Sequence, residues 1–428
     1  MKIFILSLGC AKNRVDSECL AGELRRAGHT LAGSAEEAEA AIVNTCGFIQ
    51  PAVEENITAI LDLEELKAEG QLKKIGVIGC LFNRYGAELA AGFKTVDFWA
   101  ESEAWDKVLE ALGNKASVSR TRANLPDSPF FTRCLKISEG CDNRCTYCAI
   151  PSIRGKLRSL PVKTIVDEAV SLAEEGAREL CVVGQDLTAY GMDFDGKSKL
   201  TELLDALEDN LPDSVRLRLL YLHPDRVTPK LLERVVSGRK ILNYLDIPVQ
   251  HADEGILAAM NRGINKKRLE DIFSCARSLD PDFALRTTCM VGFPGETARS
   301  FGHLLDFLEK VQFDRAGAFT YFAEEGTDAA SMPKQVRNST KERRLAELME
   351  LQEEISFARQ QRFVGRTLDV LIEKTDGGYA EGRSFREAPE VDGIIEIDGA
   401  RNDLKAGDVI KVKIKDAMPH DLTGEEVQ

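Results

Sequence analysis

The chain contains no apolar run of about 18 residues, so nothing in it reads as a membrane span. Low-complexity segments are absent too. Positive charge is in deficit, with 56 Lys and Arg against 70 Asp and Glu and a net charge of −14. That balance excludes a generally basic nucleic-acid binder and leaves room only for a local basic patch. The opening apolar run, Ile3 to Leu8, is shorter than the roughly 7–15 residues of an export-signal core. Eleven cysteines without such a signal point to a reducing cytoplasm, hence to thiolate and metal chemistry rather than disulfides. With 428 residues, 43% hydrophobic and 29% charged, the composition is that of a globular protein of two to four domains.

The densest cysteine cluster is Cys141, Cys145 and Cys148, a CxxxCxxC run inside EGCDNRCTYCAI. Three soft sulfur ligands so close together suit a metal or an iron–sulfur cluster. No histidine stands nearby to complete the four ligands of a structural zinc site. A cubane on three cysteines leaves one iron open to a ligand that is not protein. A zinc loop or scattered core cysteines are the competing readings. With Tyr147 just before the last cysteine, the run resembles the radical S-adenosylmethionine (SAM) superfamily, in which the open iron chelates the amino and carboxylate groups of SAM.

In the first hundred residues, three apolar strands each end in a cysteine: KIFILSLGC at Cys10, AAIVNTC at Cys46 and KKIGVIGC at Cys80. Helical patterns, Val15–Ala27 and Pro51–Leu66, lie between them. The alternation predicts a parallel α/β sheet whose strands share one carboxyl edge, so that the three cysteines meet at one rim. Three buried cysteines that merely end strands are the alternative. The stretch SLGCAKNRVDSE resembles the N-terminal signature of methylthiotransferases, and Cys46 and Cys80 match that family's other two ligands. The resemblance implies a second three-cysteine cluster. Asp16 reads as a cap of the following helix and Cys19 as packing.

Residues 114–129 read as a polar linker. Beyond it, six strand candidates (Arg133–Ser138, Glu179–Val183, Val215–Tyr221, Tyr244–Val249, Ala284–Val291, Ala316–Phe322) alternate with helical patterns, which predicts a partial (β/α)6 barrel. The cysteine loop follows the first strand, on the rim where such barrels do chemistry. By resemblance, the strand ends cradle SAM through Gly184, Gln185, Gln250, Gly292 and Glu296, with Tyr147 beside the cluster. His251 reads as a buried rim residue, and Cys134, Cys181, Cys275 and Cys289 as core. The loop Ile150–Leu160 is locally basic and reads as solvated; Leu160 stands where related sequences usually carry Arg.

Ser339-Thr340-Lys341-Glu342 looks like a capping box that opens a helix. From Phe363 short strands and Gly turns predict a small β-barrel similar to the TRAM domain, an OB-like fold. The expected division is 1–115, an N-terminal methylthiotransferase domain; 128–360, a radical SAM barrel; and 361–428, a substrate-binding TRAM domain. The whole resembles the radical SAM methylthiotransferases. The resemblance implies two 4Fe-4S clusters and SAM as both radical source and methyl donor. It further implies an electron donor such as flavodoxin or ferredoxin. Three stretches, SLGCAKNRVDSE, EGCDNRCTYCAIP and EAPEVDGII, look most like members that methylthiolate the β-carbon of an aspartate in the twelfth small-subunit ribosomal protein. A tRNA adenosine methylthiotransferase is the alternative with the same chemistry, and a non-catalytic iron–sulfur carrier the alternative of another class. Residues 362–428 hold ten Lys and Arg against fifteen Asp and Glu. That acidic excess favours a basic ribosomal protein over tRNA and predicts Glu390 and Asp392 on the attracting surface.

Overall fold

Apolar strands alternating with helices build an all-parallel sheet at the N-terminus of the computed structural model, which describes residues 1–115 and 119–427. Residues 116–118 of the expected linker lie outside the described residues. The strands β1 (Lys2–Ser7), β2 (Thr30–Leu31), β3 (Ala40–Thr45), β4 (Lys74–Gly79) and β5 (Phe98–Ala100) pair in the order β2-β1-β3-β4-β5. β2 and β5, two and three residues long, are too short to show a periodicity, and no sequence pattern marked them. The strand order reverses between β1 and β3, and doubly wound sheets place their ligands at such a switch point. Cys10 follows β1 and Cys46 follows β3, so two of the three cysteines flank it. Cys80 follows β4 as the first residue of the helix Cys80–Gly92.

The first helix runs Ala11–Arg26 with Cys10 at its N-cap, four residues earlier than the apolar spacing suggests. Asp16 is therefore no cap. It sits in the second turn, buried, and faces the next domain.

The second sheet holds β6 (Thr132–Lys136), β9 (Glu179–Val183), β10 (Arg216–Leu219), β11 (Ile241–Asp246), β12 (Ala284–Val291) and β13 (Arg315–Thr320), all parallel. A short antiparallel pair, β7 (Ser138–Glu139) with β8 (Arg158–Ser159), brackets the CxxxCxxC loop. β6 and β13 are the two edges of the sheet, so the barrel is open, as the six predicted units imply. Alternate side chains divide its two faces: Leu180, Val182, Leu217 and Leu219 pack under the helices, while Cys181, Val183, Leu220 and Tyr244 face the lumen.

The helix Asn338–Gln361 leads into a closed barrel of β14 (Thr367–Asp376), β15 (Tyr379–Arg383), β16 (Ile395–Asp398), β17 (Val409–Ala417) and β18 (Leu422–Glu426). The expected capping box does not form. The helix begins before Ser339, with Arg337 at a cap position that lacks a side-chain bond, and Lys341 reaches across to the Tyr321 carbonyl at 2.7 Å. No helix among the described residues is long and apolar enough to cross a membrane.

The loop between β15 and β16 enters the lumen of the open barrel. The Arg218 guanidinium donates to the Phe385 and Ser384 carbonyls at 2.8 and 3.1 Å. Tyr244 Oη donates to Asp392 Oδ2 at 2.7 Å, and Arg286 Nε lies 3.3 Å from its other oxygen. Arg383, the last residue of β15, donates to Glu179 at 3.0 Å and to Thr132 Oγ1 at 3.1 Å, and Arg315 pairs with Glu387 at 3.5 Å. The segment thus touches all six strands. Asp392 is consequently not a surface residue that attracts a partner, because its carboxylate is inside the barrel; Glu390 remains exposed.

Glu179 holds this junction, facing Arg216, Arg218 and Arg383 at 3.0, 2.8 and 3.0 Å. Burial alone would raise its carboxyl, yet Arg218, Arg383 and Arg216 hold it well below the carboxylate range. A depressed value means that its contribution to stability is complete above the unfolded value of about 4.3 and fades only as pH falls further. Replacing Glu179 with Ala leaves three buried cations short of a counter-charge and is expected to cost about 3–5 kcal/mol. Hydrogen exchange across β14–β18 measures this. Unchanged protection there in Glu179→Ala would show that the C-terminal barrel is held by other contacts.

Candidate active site

The carboxyl edge of the N-terminal sheet faces the carboxyl rim of the barrel, and one cavity of about 370 Å³ lies between them. All six cysteines singled out in the sequence line it: Cys10, Cys46 and Cys80 from the sheet, Cys141, Cys145 and Cys148 from the barrel. Close packing at the sheet edge requires glycine at position 9. Its φ is +90°, and a Cβ there would stand 2.6 Å from Cys46 Cβ and 3.2 Å from its sulfur. The barrel loop is pinned by Cys141 N–H to the Gly155 carbonyl (3.1 Å), Thr146 N–H to the Met260 carbonyl (3.1 Å) and Asn143 Nδ2 to Asp186 (2.9 Å). The two cysteine loops touch, since Cys80 packs against Ala149 and Ile153, just beyond Cys148.

A buried charge cluster ties these loops together. Arg154 donates from Nε to the Cys80 sulfur at 3.0 Å, from one Nη to Asp16 at 2.8 Å and Glu139 at 3.1 Å, and from the other to Asn13 Oδ1. Asn13 Nδ2 in turn donates to the carbonyls of Leu8 and Thr45 at 3.0 and 2.9 Å. The Lys136 ammonium pairs with Glu103 at 2.7 Å, with Glu139 at 2.8 Å and with Asp16. Asp16, Glu103 and Glu139 gather as three carboxylates do around a metal ion, but a lysine supplies the cation here. Burial raises the Glu139 carboxyl, and Lys136 and Arg154 more than reverse that, bringing it to about 2. Arg154 is thus buried and engaged rather than part of a solvated basic loop. Leu160, where Arg is usual, packs on the barrel core.

Burial pushes the Cys141 thiol up to about 11 and the Cys148 thiol up to about 12. Cys80 likewise rises to about 11, despite Arg154 beside it. Thiols in this state are poor nucleophiles, and metal binding would displace their protons. The cavity also presents buried polar atoms without a hydrogen-bond partner among the described residues: Gln185 Oε1, Gln250 Oε1 and His223 Nε2. Burial, with Arg262 adding to it, lowers His223 to about 4, so its ring is neutral at pH 7. The two glutamine oxygens fit a ligand that brings amine and adenine N–H donors, as SAM does. His223 Nδ1 accepts the Asp225 N–H at 3.4 Å, so its Nε2 carries the proton and suits an acceptor such as a carboxylate. The three barrel cysteines fit a cluster with one open iron.

Of the residues expected to contact SAM, Tyr147, Gln185 and Gln250 line the cavity. The Tyr147 hydroxyl accepts from Arg262 at 2.9 Å. Gln250 is held at φ +67°, strained for a residue with a side chain. Gly184, Gly292 and Glu296 do not line it. Glu296 accepts from Gly292 N–H and from Arg344, both at 2.7 Å, and stands 3.6 Å from the fully buried His251. Sequence reasoning missed Lys12, Arg154, Tyr221 and Arg262 as cavity residues. Lys12 stands inside SLGCAKNRVDSE and Arg154 inside the loop Ile150–Leu160, but a single cation carries no periodic signal. Cys19, Cys181 and Cys289 are buried, whereas Cys134 and Cys275 are partly exposed.

Comparison with known proteins follows the same tripartite order. Residues 2–101 match the uncharacterized protein family UPF0004, 135–308 the radical SAM superfamily and 364–427 the TRAM domain. The chain is 44% identical to the ribosomal protein uS12 methylthiotransferase RimO of Carboxydothermus hydrogenoformans, over 99% of each chain. It is 41% identical to that of Desulforamulus reducens, over 100% of this chain and 99% of the other. Among solved structures, the radical SAM methyltransferase TsrM from Kitasatospora setae aligns with a TM-score of 0.58 at 12% identity, covering 88% of this chain and 79% of that one, which is a likeness of fold alone. The superfamily implies SAM and a 4Fe-4S cluster as cofactors. Similarity of this extent over the full length settles the family: the chain belongs to the radical SAM methylthiotransferases of the RimO type.

Proposed function

We propose that this protein attaches a methylthio group to the β-carbon of an aspartate in ribosomal protein uS12. The observation that carries the reading is the single cavity with a cysteine triplet on each wall. Cys141, Cys145 and Cys148 would hold the 4Fe-4S cluster to which SAM binds, and Cys10, Cys46 and Cys80 a second cluster. When bound, these groups supply reductive SAM cleavage, removal of hydrogen from an unactivated carbon, and sulfur carrying a methyl group from another SAM. The protein's own residues position and insulate. Gln185 and Gln250 offer acceptors for SAM, Arg154 aims a charged N–H at the Cys80 sulfur, and the facing rims wall the cavity on two sides. The electron donor in this reading is a small flavodoxin or ferredoxin.

Charge supports a protein substrate over tRNA. Of the ten bases and fifteen acids in residues 362–428, Arg383, Arg386, Glu387 and Asp392 have buried side chains. Eight bases and thirteen acids remain to set the field of the C-terminal barrel. Such a surface attracts a basic ribosomal protein and repels a phosphate backbone.

Anaerobically reconstituted protein is expected to bind about eight irons, by the stoichiometry of two cubanes. Replacing Cys10, Cys46 and Cys80 together with Ala should leave about four. An iron content of about four in the unsubstituted protein, unmoved by the triple substitution, would remove the second cluster.

Mass spectrometry of uS12 and of tRNA after incubation with the reconstituted enzyme tests the substrate. The expected product is uS12 heavier by one methylthio group on an aspartate. Modification of tRNA with uS12 untouched would overturn the assignment.

A further inference from the structure

Three cationic side chains line the cavity: Lys12, Arg154 and Arg262. Arg154 is bound to Cys80, Asp16, Glu139 and Asn13. Arg262 donates to the Tyr147 hydroxyl at 2.9 Å and to the Pro248 carbonyl at 2.7 Å. Lys12 differs. Among the described residues its ammonium has no hydrogen-bond acceptor and no carboxylate partner; its one directed contact is the face of Tyr221, whose ring centroid is 3.9 Å away. The side chain is partly buried, and Cys10 and Glu139 favour its charge only through space, so no anion is in contact with the ammonium and a ligand carboxylate would complete it.

The platform beneath it is built rather than incidental. Tyr221 has φ +67°, a left-handed conformation that is unfavourable for a bulky residue. Asp246 holds it there by accepting the Tyr221 N–H at 3.0 Å, and Asp246 is fixed by Arg286 at 3.1 Å. The ring supports the cation and offers it no anion. Lys12 is also two residues from Cys10, at the seam between the N-terminal sheet and the end of β10. A carbon that is to receive sulfur from one wall, after activation at the other, has to lie at that seam.

We propose that Lys12 is the specificity residue that receives the side-chain carboxylate of the acceptor aspartate, so holding the adjacent β-carbon between the two cysteine triplets. This rests on the substrate reading above. It deepens that reading by naming the group that distinguishes an aspartate from an uncharged acceptor such as asparagine.

The test uses reconstituted enzyme, unsubstituted or carrying Lys12→Met or Lys12→Arg, and two forms of uS12, with Asp or Asn at the acceptor position. Equilibrium binding is read by fluorescence anisotropy of labelled uS12, and methylthiolation by mass spectrometry. The unsubstituted enzyme should bind the Asp form about 10- to 100-fold more tightly than the Asn form, as expected for loss of one charge-assisted pair. Lys12→Met, with iron content equal to the unsubstituted enzyme, should bind both forms alike, and Lys12→Arg should keep part of the preference. A Lys12→Met enzyme that still prefers Asp by the original factor would overturn the assignment while leaving the substrate reading intact. A fall in SAM affinity with the Asp preference unchanged would overturn it equally, since the ammonium would then serve the cofactor. If the unsubstituted enzyme modifies neither form, the substrate reading itself fails, and the assignment with it.

Discussion

The buried cluster of Asp16, Lys136, Glu139 and Arg154 sets how the two cysteine triplets face each other. Each member belongs to a different piece of the site. Asp16 is on the helix capped by Cys10, Lys136 ends β6, Glu139 is two residues before Cys141, and Arg154 is six residues after Cys148. Removing four charges from water costs several kcal/mol for each ion. Here each carboxylate meets two cations and each cation at least two carboxylates, at 2.7–3.1 Å where the distances are ordinary. Apolar side chains of similar volume would join the domains at least as firmly. They would not aim an N–H at Cys80, and they would tolerate sliding of one rim over the other, which directional ion pairs resist.

The opposite end of the barrel has a related solution. Closed eight-stranded barrels fill their interiors with layers of their own side chains. Six strands leave an open wall and an underfilled lumen, and here a loop of the C-terminal barrel supplies the missing layer, with Ala388 packed among Cys181, Val183, Leu220 and Tyr244. Its Asp392 pairs with Arg286, Arg286 with Asp246, and Asp246 holds the strained Tyr221 at the cavity floor. The C-terminal barrel is therefore mechanically continuous with the cavity, apart from any surface it offers a partner.

The β/α alternation was legible because it is local: the strands Glu179–Val183 and Ala284–Val291 coincide with their predicted spans. The three N-terminal cysteines were legible as a rim because parallel topology brings strand ends together whatever their spacing. What escaped depends on contacts far apart in sequence. Asp16 reads as a cap until Lys136 and Arg154 arrive from the next domain. Asp392 reads as a surface acid until the loop that carries it enters the barrel. Glu296 sits in a motif that suggests a cofactor contact, yet Arg344, 48 residues on, claims its carboxylate. The short strands β2 and β5 exist only because a longer neighbour pairs with them.

The size of the cavity constrains what can enter it. About 370 Å³ is near the lower end of small-ligand sites, which span about 300–1,000 Å³. A folded protein cannot reach the seam between the triplets, and with a cofactor in place little space remains even for a large side chain. The acceptor must arrive as a short side chain at the tip of a loop, with its neighbours left outside on the rims. Recognition then divides in two. On the C-terminal barrel, at the opposite end from the cavity, the acidic surface acts through charge, and it is sensitive to salt but indifferent to the identity of one residue. Inside, between two partly buried walls, a cation without a contacting anion discriminates more sharply than the same charge free in water. One surface of the molecule therefore draws a basic protein in bulk, and a separate cavity selects a single carboxylate.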